Sequence, residues 1–388
     1  MRSLIVFGEL YSSFGRGEKF GLLRRNMAQY EKFLQRKFFD AVYLYTYDPN
    51  DHARLAQLKA GSGLHDGIRV ITAPALLRSR AGSILYSVIG PLLHWRVLAD
   101  ASAFRTQQVS GAWTALIAKA IFRKPLLFRV GYPLSQRFEK EGKRLKFMIA
   151  RSIEWALVRF ADRVAVSSTD MQKYYGDLVP SATVTHLPSY VDFTDFKPIA
   201  DYSRAKPLLF VGRLDPVKNI ENLIVACARL KVPLVIYGFG PLEDELKALA
   251  RDRGADVAFK GVVANAELLR RHHDHTIYVL CSVREGMPKS LIEAMASGLI
   301  CVGTKVSGIM ELIEDGRTGY LIDGFDADAI EQRLRWVLDN FDPEVGRSAS
   351  AIVHRNNSLD RAIELESELF DGITRVPRTA HTTRSLAQ

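Results

Sequence analysis

The sequence predicts an α/β protein with two domains, each built on a parallel β-sheet. The chain of 388 residues is too long for one ordinary hydrophobic core and fits two domains of similar size. Its 47% hydrophobic and 25% charged residues are typical of a globular chain and exclude a disordered one. Two apolar runs, residues 4–7 and 208–211, are each followed by a loop and a helix pattern, so each one starts a sheet of its own.

The first half has the pattern of a Rossmann-like domain. Strands are predicted at residues 4–7, 41–47, 68–72 and 126–130, and an amphipathic helix at about 20–36. The loop after the first strand contains a G-x-G pattern but no third glycine at the spacing that a dinucleotide requires. NAD binding is therefore disfavoured.

Residues 137–160 contain basic and apolar side chains at helical spacing. A basic amphipathic helix of this kind can lie on an anionic lipid surface. A run of charges is also the ordinary solvated face of a helix that packs on a core, so both interpretations stay open.

Positive charge is concentrated in the first half of the chain. Residues 1–195 contain 28 Lys and Arg against 16 Asp and Glu, a balance of +12, whereas the remaining 25 against 27 give −2, and the sum is +10. This asymmetry predicts an anionic partner, either a membrane surface or a phosphorylated acceptor. A nucleic acid is disfavoured because no aromatic and basic binding platform is evident.

Three features concern the location of the protein. Cys227, Cys281 and Cys301 lie in apolar runs without a metal or redox pattern, which favours a reducing cytosol. Residues 1–8 lack a signal-peptide pattern, and the longest apolar stretch, residues 84–93, is interrupted by glycine and proline. We therefore expect a cytoplasmic protein that can contact the inner face of a membrane.

A polar, proline-containing segment at residues 186–198 predicts a hinge. The first domain is accordingly assigned to residues 1–195 and the second to 196–356. A last helix is expected at residues 357–371, and the polar, aperiodic residues 372–388 are expected to form a disordered tail.

The second half contains a pair of carboxylates that predicts a ligand site. Glu285 lies in a turn-rich loop, and Glu293 lies eight positions later in a short helix that starts near Pro288 and ends at Gly298. Apolar strands on both sides make this segment a βαβ unit, and ligands of such sheets bind beyond the carboxyl ends of the strands. Carboxylates accept hydrogen bonds from hydroxyls, and helix N-termini favour anions, so a nucleotide sugar matches both features.

Arg213 and Lys218 are the candidate cations of the same site. They flank the loop that follows the predicted strand 208–211, where a pyrophosphate would meet them. Two fixed cations can stabilise a departing diphosphate without a metal ion. The histidine-rich run at residues 270–275 lacks further ligands at metal-binding spacing, so we predict no metal and no cofactor besides the nucleotide-sugar substrate.

These motifs carry a family resemblance. The run EGMPKSLIEAMASG at 285–298 resembles the E-x7-E signature of retaining glycosyltransferase family 4, the group 1 glycosyl transferases, and the likeness continues through Gly308 and Glu311 to EDGRTGYLI at 314–322. It covers most of residues 205–325. The resemblance implies the GT-B fold, in which two Rossmann-like parallel-sheet domains face each other across a deep cleft and the last helix crosses back to the first domain.

The resemblance also implies roles in a donor site. Glu285, Arg213 and Lys218 would be catalytic, with the two cations on the pyrophosphate and Glu285 on the sugar, while Glu293 would bind the ribose hydroxyls. Further donor-binding positions are Gly212, Gly238, Gly240, Val262, Gly286, Met287, Pro288, Lys289, Ser290 and Leu291. Lys289 replaces a small polar residue that is common in the family and therefore bears on sugar preference.

On the acceptor side the sequence departs from the family. The turn Gly15-Arg16-Gly17-Glu18 stands where the family has Gly-Gly-x-Glu, so Arg16 replaces a glycine. After residues 126–130, where many relatives carry a histidine, this chain has none, which leaves Arg129 and Tyr132 as acceptor-side candidates. Core packing of Tyr132 and a surface position for Arg129 remain alternatives.

The implied function is transfer of a hexose-type sugar, with retention, from a UDP- or GDP-linked donor to a glycan or lipid-linked acceptor in surface polysaccharide or glycolipid biosynthesis. No carboxylate is placed as a nucleophile opposite the leaving group, which favours a front-face route over a covalent glycosyl-enzyme. Two alternatives share the fold: a nucleotide-sugar epimerase or hydrolase, and a non-catalytic scaffold protein. The base, sugar, acceptor, linkage and oligomeric state are not predicted by any of these motifs.

Overall fold

The structure is a computed structural model that describes residues 2–10, 13–14, 22–194, 196–203 and 206–374. Its strands form two sheets, and all strand pairs within each sheet are parallel. The two sheets correspond to two α/β domains, one in each half of the chain.

The first domain is built on seven strands. They are β1 (Ser3–Phe7), β2 (Ala41–Tyr45), β3 (Ile68–Ile71), β4 (Ala103–Thr106), β5 (Leu126–Val130), β6 (Arg163–Val166) and β7 (Val184–His186). Their order in the sheet is β3-β2-β1-β4-β5-β6-β7. The helices are α1 (Leu22–Gln35), α2 (Asp51–Ser62), α3 (Arg80–Leu93), α4 (Trp95–Ala99), α5 (Trp113–Phe122), α6 (Leu134–Lys140), α7 (Arg144–Phe160) and α8 (Thr169–Leu178).

The second domain is built on six strands. They are β8 (Leu208–Val211), β9 (Leu234–Tyr237), β10 (Val257–Phe259), β11 (Ile277–Leu280), β12 (Ile300–Thr304) and β13 (Tyr320–Ile322), and their order is β10-β9-β8-β11-β12-β13. The helices are α9 (Ile220–Leu230), α10 (Glu243–Asp252), α11 (Asn265–Arg271), α12 (Lys289–Ala296), α13 (Ser307–Met310), α14 (Ala327–Asp339) and α15 (Pro343–Asn356). The predicted fold class, two parallel-sheet α/β domains, is therefore confirmed.

The central strands are apolar because helices cover both faces of each sheet. All residues of β1, β11 and β12 are buried. A strand that is buried on both faces has no polar side, which is why these segments appear in the sequence as continuous apolar runs.

The chain passes between the domains twice, and the two crossings are hydrogen-bonded to each other. The N–H of Val191 donates to the carbonyl of Asn357 at 2.9 Å, and the N–H of Leu359 donates to the carbonyl of Val191 at 3.0 Å. Helix α16 (Leu359–Thr374) follows the second crossing and buries Ile363 and Phe370 in the core of the first domain. It continues to Thr374, three residues past the boundary that we predicted.

A buried ion pair holds α16 on the first domain. The guanidinium of Arg105, on β4, contacts the carboxylate of Glu366, and the two residues are 1% and 0% exposed. Gln29 donates to Glu366 at 2.6 Å and accepts from Tyr190 at 2.8 Å. Burial lowers the pKa of the Arg105 guanidinium, but the adjacent carboxylate outweighs burial, and the net shift is upward.

One predicted helix is divided into two in the structure, and the longest apolar stretch forms part of another helix. Residues 137–160 do not form one helix: α6 ends at Lys140 and α7 starts at Arg144, because Gly142 adopts a φ of 68°, which a continuing helix does not allow. The apolar residues 84–93 lie in α3, which contains Pro91. Within the described part of the chain, no helix combines the length and the apolar character needed to cross a bilayer.

Candidate functional site

Two of the predicted catalytic side chains meet at the carboxyl edge of the second sheet. Strands β8 and β11 are neighbours, so the loops that follow them lie side by side. The first loop carries Lys218 and the second carries Glu285. The Lys218 Nζ lies 2.5 Å from the Glu285 Oε1, and the side chains are 17% and 11% exposed.

Neighbouring hydroxyls position the Glu285 carboxylate. The Ser282 Oγ donates to the same Oε1 at 2.6 Å. The carbonyl of Ser282 accepts from the Thr304 Oγ1 at 2.5 Å, at the end of β12. A carboxylate that is held from both sides in this way has a defined orientation toward the edge of the sheet.

Arg213 extends into a cavity between the domains. Its side chain is 70% exposed, and its Nε lies 3.5 Å from the Asp215 Oδ2. The cavity has a volume of about 450 Å³ and is lined by Tyr132, Arg137, Lys140, Glu141, Arg213 and Arg284. Four cations against one carboxylate make it a site for an anionic group.

The pKa of Lys140 is consistent with crowding of positive charge in this cavity. Partial burial and, second, the positive charge of Arg284 lower the pKa of the Lys140 ammonium. Arg137, Lys140 and Arg284 were not among the predicted site residues. The density of basic residues was their only signal, because the sequence does not show which loops of one domain face the other.

Glu293 lies inside the second domain rather than on its surface. Helix α12 starts after Pro288 and is followed by Gly298 with a φ of 81°. Glu293 is 5% exposed, and Leu291 is 0% exposed within the core. Leu291, a predicted donor-binding residue, therefore packs in the core of the second domain. The Tyr278 hydroxyl donates to the Ser290 Oγ at 2.9 Å and fixes the start of the helix.

Glycines allow the loops of the site to touch. A Cβ at Gly238, where φ is 147°, would lie 1.8 Å from the carbonyl oxygen of Gly212. A Cβ at Gly240 would lie 2.2 Å from the carbonyl oxygen of Leu214. At Gly308 it would lie 1.9 Å from the carbonyl oxygen of Gly286, so this glycine sets the position of the Glu285 loop, a role that the sequence did not indicate.

The remaining predicted donor residues lie around this centre. Val262 is 67% exposed on the loop after β10. The Met287 sulfur accepts from the N–H of Ser189 at 3.0 Å, which ties the Glu285 loop to the hinge. The ammonium of Lys289 lies 5.8 Å from the centre of the Tyr190 ring.

The acceptor-side candidates fall in different places. Tyr132 is 38% exposed and lines the cavity between the domains, so it is not a core residue. The Arg129 guanidinium lies 5.4 Å from the centre of the Tyr190 ring, on the first-domain side of the hinge. The turn Gly15-Arg16-Gly17-Glu18 lies outside the described residues.

Glu311 connects the two domains. Its Oε1 accepts from the N–H and the Oγ1 of Thr169, at 2.8 and 2.7 Å, where α8 of the first domain begins. Its Oε2 lies 3.5 Å from the Nε2 of His186. A carboxylate at a helix N-terminus is favourable, so this contact stabilises the observed arrangement of the domains.

The histidines of residues 270–275 have structural partners. The Nδ1 of His272 lies 2.8 Å from the Ser297 Oγ, and the Nδ1 of His275 lies 2.9 Å from the carbonyl oxygen of Pro207. Burial lowers the pKa of His272 to about 3 and also lowers that of His275. Among the described residues, no group of three or more His, Cys, Asp or Glu side chains has a geometry suited to a metal ion.

The two facing sheets and the position of the cavity between them define the class of the protein: it has the GT-B fold. The Anabaena protein HepE, solved in complex with UDP and glucose, superposes with a TM-score of 0.71 over 95% of this chain and 99% of that chain, at 18% identity. At that identity the likeness shows the fold alone.

Residues 192–348 match the family described as glycosyl transferases group 1, the same group that the motifs of the second half resemble. A candidate colanic acid biosynthesis glycosyltransferase of Escherichia coli K12 is 34% identical over 46% of this chain and 49% of that protein. A GDP-mannose-dependent phosphatidylinositol monomannoside mannosyltransferase of Mycobacterium tuberculosis is 28% identical over 52% of this chain and 59% of that protein. The matches thus span about half the length of these relatives.

Proposed function

We propose that this chain is a glycosyltransferase that moves a sugar from a nucleotide-diphosphate sugar to a glycan or lipid-linked acceptor. The observation that carries the proposal is the contact of Lys218 with Glu285 at the carboxyl edge of the second sheet, with Arg213 on the neighbouring cavity wall. A cation can bind the diphosphate of a nucleotide sugar, and a carboxylate beside it can accept hydrogen bonds from the sugar hydroxyls. The names of the family and of both relatives support this activity.

In the proposed mechanism, the diphosphate competes with Glu285 for Lys218. The ammonium of Lys218 and the guanidinium of Arg213 bind the phosphates and stabilise the charge that develops as the glycosidic bond breaks. Glu285 then accepts hydrogen bonds from the sugar hydroxyls, and Glu293 accepts from the ribose. The two cations can neutralise the departing diphosphate, which is the role of a metal ion in a metal-dependent reaction. We therefore propose a metal-independent reaction.

We infer that the anomeric configuration of the sugar is retained. The carboxylate of Glu285 is held by Ser282 and is assigned to the sugar hydroxyls, so we give it a binding role rather than that of a nucleophile. A front-face reaction follows, in which the departing phosphate takes the proton of the acceptor hydroxyl. Mass spectrometry of the protein after reaction with a slow donor tests this step, because a glycosylated side chain would exclude the front-face route.

We further infer an anionic acceptor that is presented at the inner face of a membrane. The cavity between the domains brings Arg137, Lys140 and Arg284 together beside Arg213. A phosphate of a lipid-linked glycan, or the acidic group of a surface polysaccharide, would complement these cations. The relative that acts on a phosphatidylinositol mannoside supports an acceptor of this kind.

The test has two stages. Thermal unfolding with UDP, GDP and ADP identifies the base, since a ligand that binds the folded state raises Tm as RT ln(1 + [L]/Kd). Donors with the preferred base are then incubated with and without lipid-linked acceptors, and the sugar is followed. We expect acceptor-dependent transfer. Free sugar or an epimer without an acceptor would indicate a hydrolase or epimerase, and the lack of any nucleotide effect on Tm would indicate a scaffold.

A further inference from the structure

Helix α3 directs its apolar side outward. Its exposed residues are Ile84, Leu85, Val88, Leu92 and Leu93, which are 49 to 57% exposed. Its buried residues are Gly82, Ser83, Tyr86, Ser87, Gly90 and Pro91. A surface helix normally buries its apolar stripe, so the reversed arrangement predicts that this side of α3 is covered by something else.

Helix α7 also exposes apolar side chains, although it buries Leu157 and Val158 in the core of the first domain. Leu145, Met148, Ile149 and Trp155 are 46 to 71% exposed at helical spacing. Glu154, in contrast, is 0% exposed and accepts from the N–H and the Oγ of Ser135 at 3.0 and 2.6 Å. The helix thus has apolar side chains on its outer side as well as on its buried side.

The two helices belong to one surface. Helix α5 packs against both α3 and α7, and it exposes Ile121. Fourteen of the twenty large apolar residues exposed in the described chain lie within residues 76–160, most of them on or beside these helices. We call the outer sides of α3, α5 and α7 the apolar face. Such a concentration on one side of a domain is typical of a binding surface.

The same segment carries the positive charge of the protein. Residues 76–160 contain 15 Lys and Arg against 4 Asp and Glu, a balance of +11, and the rest of the chain has 38 against 39, or −1. Exposed cations of the segment include Arg78, Arg80, Arg123, Arg144, Lys146 and Arg159. The segment that forms the apolar face therefore also carries nearly all of the excess charge.

We propose that the apolar face docks on an anionic lipid bilayer. The exposed leucine, isoleucine and tryptophan side chains enter the interfacial region, and the surrounding cations lie at the level of the anionic headgroups. A second copy of the chain is a less suitable partner, because it would place two positively charged surfaces together. A neutral apolar partner would offer no anionic groups to the exposed cations of the segment.

Docking through the apolar face would also bring the cavity between the domains near the bilayer. This step rests on the proposed function. Helix α7 follows α6 after three residues, and α6 carries Arg137 and Lys140 of the cavity between the domains. Docking through α7 therefore places the cavity near the bilayer. A lipid-linked acceptor could then enter the cleft with its phosphate while its tail stays in the membrane.

The test is flotation of the full chain with vesicles of phosphatidylglycerol and phosphatidylcholine, or of phosphatidylcholine alone. We expect binding to the anionic vesicles that weakens with salt. The triple variant L85Q/V88Q/L92Q and the double variant R144E/K146E should each reduce binding by about tenfold or more. The matched control F325Q/W336Q changes exposed apolar residues of the second domain, 43 and 45% exposed, and should bind as the unaltered chain does.

Three outcomes would overturn the inference: no binding to anionic vesicles, equal binding by the face variants, or equal loss in the control. Light scattering that shows a dimer, dissociated by L85Q/V88Q/L92Q in the absence of vesicle binding, would assign the face to self-association instead. The effect of nucleoside diphosphates on Tm is measured in parallel. If it persists while vesicle binding is absent, only this inference fails; if it is absent while vesicle binding persists, only the proposed function fails.

Discussion

At the scale of the residue, Lys218 is the side chain whose removal should affect donor binding most directly. Its ammonium is held 2.5 Å from Glu285 and is largely buried, so it is fixed at the point where we propose that the diphosphate displaces the carboxylate. We predict that Lys218→Met weakens binding of the preferred nucleoside diphosphate by about 10- to 100-fold, the value of a charge-assisted hydrogen bond. Titration calorimetry with that nucleotide measures the change.

The control for this variant is Arg229→Met. Arg229 is a cation of the same domain, but it pairs with Asp328 and Glu331 on the surface and lies on α9, away from the cavity. Nucleotide affinity should not change there. Equal losses in both variants would mean that Lys218 acts only through the overall charge of the domain.

Gly308 offers a second test at this scale, because its only role in the site is to leave space. In Gly308→Ala the new methyl group would lie 1.9 Å from the carbonyl oxygen of Gly286, and the Glu285 loop must move. We predict a loss of about 1–3 kcal/mol in the free energy of unfolding and weaker nucleotide binding. Urea denaturation and calorimetry measure the two effects.

Gly176→Ala is the matched control for this substitution. Gly176 lies within α8, and a Cβ there meets nothing within 4 Å. Alanine should stabilise the chain by up to about 1 kcal/mol because it favours the helix. If Gly308→Ala behaved like Gly176→Ala, the loop contact would have no importance for the site.

At the scale of the element, the buried strands were the most predictable part of the chain. Residues 4–7 and 208–211 were predicted as strands and lie in β1 and β8, because a strand that is buried on both faces leaves a short apolar run in the sequence. The break between α6 and α7 was not predictable. It depends on the φ of Gly142, and glycine within a helical pattern does not reveal whether it ends the helix.

Helix α16 supplies the prediction at this scale. Arg105→Met would leave the Glu366 carboxylate buried with Gln29 as its remaining donor. Loss of one partner of a buried ion pair costs about 3–5 kcal/mol, so the free energy of unfolding should fall by that amount, as measured by urea denaturation.

Arg2→Met is the control, because Arg2 pairs with Asp371 of the same helix at 3.3 Å in an exposed position. An exposed pair contributes about 0–1 kcal/mol, so this variant should be nearly neutral. A small effect in both variants would show that the Arg105–Glu366 pair contributes little to holding α16 beside the apolar packing of Ile363 and Phe370.

At the scale of the whole molecule, the sequence predicted one half of the site and not the other. Glu285 and Lys218 follow neighbouring strands of one sheet, and the carboxyl ends of parallel strands must meet at one edge. Arg284 and Lys140 come from different domains, so their spacing in the sequence does not predict that they lie close together. Their proximity depends on how the domains face each other, which the contacts at the hinge and at Glu311 determine.

Glu311 is one of the contacts that hold the two domains in their relative position. We expect Glu311→Ala to loosen the two domains, because it removes two hydrogen bonds to the N-terminus of α8. A charge-assisted hydrogen bond contributes enough to shift a two-state domain equilibrium by about 10- to 100-fold. Spin labels on Lys173→Cys and Arg335→Cys, in different domains, would report the change as a broader distance distribution.

The native cysteines do not interfere with this labelling, because Cys227, Cys281 and Cys301 are buried and burial raises the pKa of each thiol. The control is Glu314→Ala, three residues away, which pairs only locally with Arg317. Its distance distribution should match that of the unaltered chain. An unchanged distribution in Glu311→Ala as well would mean that the hydrogen-bonded crossings at Val191 and Asn357 are sufficient to hold the two domains. The Glu311 carboxylate would then serve only to cap α8.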